Sequence, residues 1–154
     1  MIMYKFLFIF IVGFLSAQQT CKLSFSNGSL SEEGKIIFTI KNINGKKIKV
    51  PINYTSTWAR PVDMQIYSDD KKDYEATKYI ADDIDCFKAE GCFGKMLCLK
   101  KGEMKEYEVQ IIPGRISRAF KEKKKYRFKL AFDTYLFSGC NDYLTDWLYY
   151  DNTK

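Results

Sequence analysis

The chain of 154 residues carries 25 basic and 19 acidic side chains, for a formal net charge of +6, and contains no histidine. Without histidine, Ser-His and Cys-His nucleophilic systems are excluded within this chain, and 46% hydrophobic and 16% aromatic residues with only 3 prolines exclude a disordered polypeptide. The mild positive surplus favours acidic surfaces or glycans as partners.

The first residues read as a targeting segment. Lys5 supplies a positive start, Phe6 to Leu15 is an unbroken apolar run, and Leu15-Ser16-Ala17 offers a small-residue cleavage site. A membrane-spanning helix needs ~20 apolar residues, and Gln18-Gln19-Thr20 ends this run too early. A lipid anchor on Cys21 would call for a small residue and an aliphatic one where Thr20 and Gln18 stand. The sequence therefore predicts a signal peptide over 1–17 and a single domain over 18–154, secreted or periplasmic, without a transmembrane helix. Loss of Lys5 lowers the net charge from +6 to +5.

Beyond the cleavage site, Cys21 to Ser26 alternates weakly and reads as an opening edge strand. Lys35 to Tyr54 (KIIFTIKNINGKKIKVPINY) reads as two strands and their turn. Ile36, Phe38 and Ile40 share one face, and Ile48, Val50, Ile52 and Tyr54 share another. A two-residue turn at Asn44-Gly45 would put these sets on opposite faces. A three-residue loop, Ile43-Asn44-Gly45, places Ile40 opposite Ile48 and Phe38 opposite Val50, so a paired hairpin in that register is predicted. Val62, Met64 and Ile66 make a further strand. From Asp69 to Gly94 the pattern dissolves into an acidic stretch holding Cys86 and Cys92, the long loop of the chain. Alternation returns at Met104 to Ile112, with Tyr107, Val109 and Ile111 on one face. A basic connection, Arg115 to Lys125, leads into Tyr126, Phe128, Leu130 and Phe132, the clearest alternating strand. Leu144 to Tyr150, containing Trp147, closes the chain.

These elements predict an all-β fold: an antiparallel β-sandwich of about seven strands. The Lys101-Gly102 turn ahead of an alternating strand, and the later strand KYRFKLAF with Tyr126 near its start, resemble the later strands of immunoglobulin-like and fibronectin type III-like domains. The resemblance implies an immunoglobulin-like architecture with one long cysteine-containing loop and carries no activity. The chain departs from antibody domains in lacking cysteine in 35–43 and 126–132.

Export makes disulfides the expected state of Cys21, Cys86, Cys92, Cys98 and Cys140. Five is odd, so one thiol is left over, and fifteen arrangements of two bridges are open. The spacing Cys86-x5-Cys92-x5-Cys98 predicts at least one local bridge, and a leftover Cys21 would be placed to join two molecules. Zinc has no histidine and no CxxC pair to hold it. Calcium could be drawn only from Asp69, Asp70 and Asp73 or from Asp82, Asp83 and Asp85, both readable as solvated turns. No cofactor is expected.

Three functional classes remain. The first is a non-catalytic binding or accessory domain of the cell envelope or secretome, acting through loops on an unidentified protein or anionic glycan. Its candidate basic patch is Arg115, Arg118, Lys121, Lys123, Lys124 and Lys125, with the cystine loop as a second contact surface. The same run reads more simply as a solvated loop leading into a strand whose outer face is charged against edge pairing. The second is a disulfide-stabilised inhibitor of a secreted hydrolase. The third is an enzyme using carboxylates drawn from Asp82, Asp83 and Asp85 or from Asp142 and Asp146, for which no perturbing environment is visible. Nucleic acid is disfavoured, because Tyr126 and Phe128 fall on the core face, away from Arg127 and Lys129. Tyr54, Trp58 and Tyr67 could form an aromatic glycan surface or fill the core.

Overall fold

The computed structural model describes residues 21–79, 84–115 and 118–154. The signal peptide expected over 1–17, and Asp82 and Asp83, lie outside the described residues. Within them the chain is all-β, with only antiparallel pairing. It has ten strands: β1 (Leu23–Asn27), β2 (Lys35–Asn42), β3 (Ile48–Pro51), β4 (Ala59–Ser68), β5 (Asp73–Ala76), β6 (Met96–Leu99), β7 (Met104–Gln110), β8 (Lys125–Phe132), β9 (Tyr143–Leu144) and β10 (Leu148–Asp151). Two short helices, α1 (Ala89–Phe93) and α2 (Tyr135–Ser138), lie in connections.

The strands form a β1-β2-β7 sheet, a β10-β8-β4-β5 sheet with β9 also on β8, and a two-stranded β3-β6 sheet. Period-two alternation gives each larger sheet one apolar face, and the faces meet. Phe38 on β2 and Phe132 on β8 stack with centroids 4.1 Å apart. Ile36, Ile40, Val109, Tyr126, Phe128 and Leu130 are buried around them. Burying a side chain of this size stabilises by about 2 kcal/mol.

The predicted hairpin between β2 and β3 is not formed. β2 pairs with β1 and β7, from Lys35↔Gln110 to Lys41↔Met104. β3 pairs instead with β6, from Ile48↔Leu99 to Pro51↔Met96. The chain does reverse between them: the Tyr54 ring lies 5.2 Å from Phe38, and the Tyr107 hydroxyl donates to the Pro51 carbonyl at 2.6 Å. Two strands with one apolar face each can lie edge to edge or face to face. Both edges of β2 are already taken, so the apolar faces meet across the core.

Asn42 holds this fold-over. It is fully buried. Its Nδ2 donates to the Leu99 and Lys46 carbonyls at 2.8 and 2.9 Å, and its Oδ1 accepts from the Asn44 amide at 2.8 Å. Its backbone bonds Glu103 and Gly102. The turn between β6 and β7 uses Gly102 at φ 82, a left-handed conformation that favours glycine.

Two disulfides are present, Cys21–Cys140 and Cys86–Cys92, and Cys98 on β6 is free and exposed. The expected local bridge is therefore formed. The thiol left over is Cys98 rather than Cys21. Leu144 to Tyr150 is not one strand, because the segment breaks between β9 and β10 at Thr145, whose hydroxyl and amide bond the Leu130 backbone. The acidic stretch contains β5, α1 and the approach to β6.

Candidate functional site

The Cys86–Cys92 bridge closes a short loop with Cα atoms 6.1 Å apart. Each cysteine is followed by a phenylalanine, and the two go opposite ways. Phe93, at the end of α1, is buried against Trp58 (4.6 Å between centroids), Phe137 (5.3 Å) and Tyr54 (5.7 Å). It fastens the loop to the core. Phe87 is 91% exposed, the highest of the large exposed hydrophobic side chains among the described residues. Inside the loop the Gly91 and Cys92 amides donate to the Lys88 carbonyl, forming a compact turn between the two aromatics.

Beside this loop a cleft of about 320 Å³ is lined by Trp58, Arg60, Ile84, Cys86, Asp133 and Asp142, among others. Arg60 spans two carboxylates: Nε reaches Asp133 Oδ1 at 2.9 Å and an Nη reaches Asp142 Oδ2 at 3.1 Å. Asp142 Oδ1 also accepts the Thr134 and Tyr135 amides at 3.0 and 3.1 Å, capping the start of α2. Burial pushes the Asp133 carboxyl above its ordinary range, and the hydrogen bond and charge of Arg60 oppose that shift. Burial, reinforced by the Asp133 and Asp142 charges, pushes the Tyr54 hydroxyl well up, so it stays a donor; it bonds the Trp58 and Asp133 carbonyls. Of the carboxylates expected from sequence, Asp142 lies here, and Asp133 joins it unanticipated. Their oxygens hold Arg60 and the α2 amides in place. Asp146 does not line this cleft.

Of the six basic residues, Arg115 and Lys124 have defined partners, near opposite ends of β4. Arg115 donates to the Thr57 carbonyl at 3.3 Å, two residues before the start of β4. Lys124 pairs with Glu122 at 3.4 Å and lines a cleft with Asp69, Asp70 and Glu75 past the other end of β4. Ten strand residues separate those ends, roughly 30 Å. Arg118, Lys121, Lys123 and Lys125 are exposed. The segment bearing them is anchored: Phe120 is buried against Tyr126, Phe128 and Tyr150. Asn152 Nδ2 donates to the Phe120 and Glu122 carbonyls at 2.8 and 3.0 Å.

Tyr54 and Trp58 are core residues, which leaves Tyr67 outside the core. Tyr126 and Phe128 are fully buried, as their period predicts. Among the described residues, no group of three or more cysteine or acidic side chains is placed to hold a metal ion. Among the same residues no helix is long and apolar enough to cross a membrane. One feature escaped sequence reasoning altogether: Arg127 and Lys129 lie over the Trp147 ring, and Arg127 also over Tyr74. Their alternation with the core residues was legible. The ring they cover, almost twenty positions on, was not.

No protein-family model, curated protein or solved structure matches the chain.

Proposed function

We propose that this is an exported, non-catalytic binding domain that presents the Cys86–Cys92 loop to a partner protein. The observation that carries the reading is Phe87: 91% exposed on a loop closed by a disulfide and fastened to the core through Phe93. A large apolar side chain left in water at a rigid position contributes nothing to folding. It loses little conformational freedom on docking, which is how an anchor residue gains affinity. Export is supported by the apolar leader with its Leu15-Ser16-Ala17 site and by two disulfides. The β1-β2-β7 sheet facing β10-β8-β4-β5 supports an immunoglobulin-like sandwich over 18–154. A loop so constrained also suits inhibition of a secreted hydrolase, with Phe87 entering the enzyme's cleft.

Phe87→Asp tests this cleanly, because exposed substitutions shift stability by within about 0.5 kcal/mol. Immobilised wild-type protein is expected to retain a partner from the extracellular fraction of its host, and the variant to lose it at unchanged thermal midpoint. Equal retention by both proteins overturns the reading. A hydrolase whose activity returns when Phe87 is replaced identifies the inhibitory form of it.

A further inference from the structure

The outward face of the β10-β8-β4-β5 sheet carries a second set of residues, unrelated to the Phe87 loop. Lys125, Arg127 and Lys129 alternate along β8 on the side opposite Tyr126, Phe128 and Leu130. The Arg127 guanidinium carbon lies 4.6 Å from the Tyr74 ring centre and 4.9 Å from that of Trp147. Lys129 Nζ lies 5.0 Å from the Trp147 centre. Tyr149, opposite Arg127 in register, is 59% exposed and meets Tyr74 edge-on at 6.2 Å. Gln65 accepts the Arg127 Nε–H at 2.6 Å, which holds the guanidinium through that one nitrogen. Among the described residues, neither Arg127 nor Lys129 has a carboxylate within ion-pair distance.

We propose that this face binds an anionic polysaccharide, with the exposed Tyr149 ring stacking on a sugar face while Arg127 and Lys129 pair with carboxylate or sulfate groups. Ring quadrupoles hold the two cations without neutralising their charge, so an anion arriving from solution meets donors already in position. A planar guanidinium suits a carboxylate or sulfate through two parallel N–H donors. Tyrosine supplies an apolar ring and a hydroxyl at its rim, matching the C–H face and hydroxyl edge of a pyranose. Single-stranded nucleic acid fits less well. The rings of Tyr67 and Tyr74 meet at 73°, and those of Tyr74 and Tyr149 at 68°, so they form no row of parallel faces for successive bases.

Calorimetric titration of the full mature chain with heparin, polygalacturonate, dextran and single-stranded DNA tests the proposal. Binding to heparin or polygalacturonate is expected, with none to neutral dextran; binding to polygalacturonate shows that carboxylates suffice, and binding to heparin alone, which carries both groups, shows that sulfate is required. Tyr149→Ala and Lys129→Gln are each expected to weaken it about tenfold. Only the lysine variant should flatten the salt dependence. Lys121→Glu with Lys123→Glu, on the basic connection, should change affinity less than threefold. Circular dichroism and thermal midpoints confirm that the variants are folded. The proposal is overturned by no binding to either acidic polysaccharide, by equal binding to dextran, by tighter binding to DNA, or by affinity lost only in the Lys121/Lys123 variant.

Discussion

Replacing Cys21 and Cys140 together by serine is expected to lower the unfolding free energy by about 4 kcal/mol. The bridge spans 119 positions. Its main effect is on the unfolded chain, where it removes the freedom of a very long loop. A closure of that length corresponds to about 5 kcal/mol, whereas the six-position Cys86–Cys92 closure corresponds to roughly 2 kcal/mol. In the folded state Cys21 leads into β1, at the edge of one large sheet, and Cys140 lies in the connection to β9 on the other. The Tyr143 hydroxyl donates to Asn27 Oδ1 at 2.7 Å, and Phe25 sits 6.0 Å from Tyr143. Without the bridge, contacts such as these and the burial of Leu23 hold the first strand to the core. Domains of this size have a total stability of about 5–15 kcal/mol, so the variant should sit near the edge of folding at physiological temperature. Urea titration at matched pH measures the change. A loss below about 1 kcal/mol would show that the covalent link adds little to the fold.

The second large effect is expected at Asn42. Asn42→Asp preserves shape and the oxygen that accepts from the Asn44 amide. It removes the Nδ2 donor and turns a charged oxygen toward the Leu99 and Lys46 carbonyls. The buried Leu99 carbonyl and the part-buried Lys46 carbonyl lose their donor, and a carboxylate is desolvated at the fully buried position 42, for about 3–4 kcal/mol in all at neutral pH. Asn42→Ala, which loses the bonds but adds no charge, should cost less, about 2 kcal/mol. The two variants also separate by pH. Burial raises the folded-state pKa of the new carboxyl above its unfolded value near ~3.9, so the folded form takes up a proton first. The Asp variant should therefore regain stability as pH falls toward that value, while the Ala variant keeps a constant gap to the wild type. Denaturation midpoints at neutral and mildly acidic pH would show it, and an Asp variant as stable as the wild type would remove Asn42 from its role at the fold-over.

What the sequence made legible was local. The strand Lys125–Phe132 declares itself because Tyr126, Phe128, Leu130 and Phe132 repeat at the period of a pleated sheet. The spacing of Cys86, Cys92 and Cys98 announces a local bridge without saying which two join, and the pair that joins is Cys86–Cys92. The partners of β2 and β3 were not legible. Alternation says which face of a strand is apolar and says nothing of whether that face meets its match edge to edge or across a core. The β3-β6 pairing depends on Met96–Leu99, four residues inside a stretch without a clear period. The Cys21–Cys140 link joins residues that no local pattern connects. Of the site, the loop was legible, but the split between a buried Phe93 and an exposed Phe87 was not, because both follow a cysteine. Which ring turns inward depends on Trp58 and Phe137, which sit far from it in the chain.

Peptide mapping under non-reducing conditions, on protein isolated from its native host with free thiols alkylated first, tests the central claim most directly. Export of a scaffold that holds Phe87 on a closed loop predicts cross-linked peptides joining Cys21 to Cys140 and Cys86 to Cys92, with label on Cys98 alone. Label on all five cysteines, or a bridge from Cys98 to Cys86 or Cys92, would contradict it.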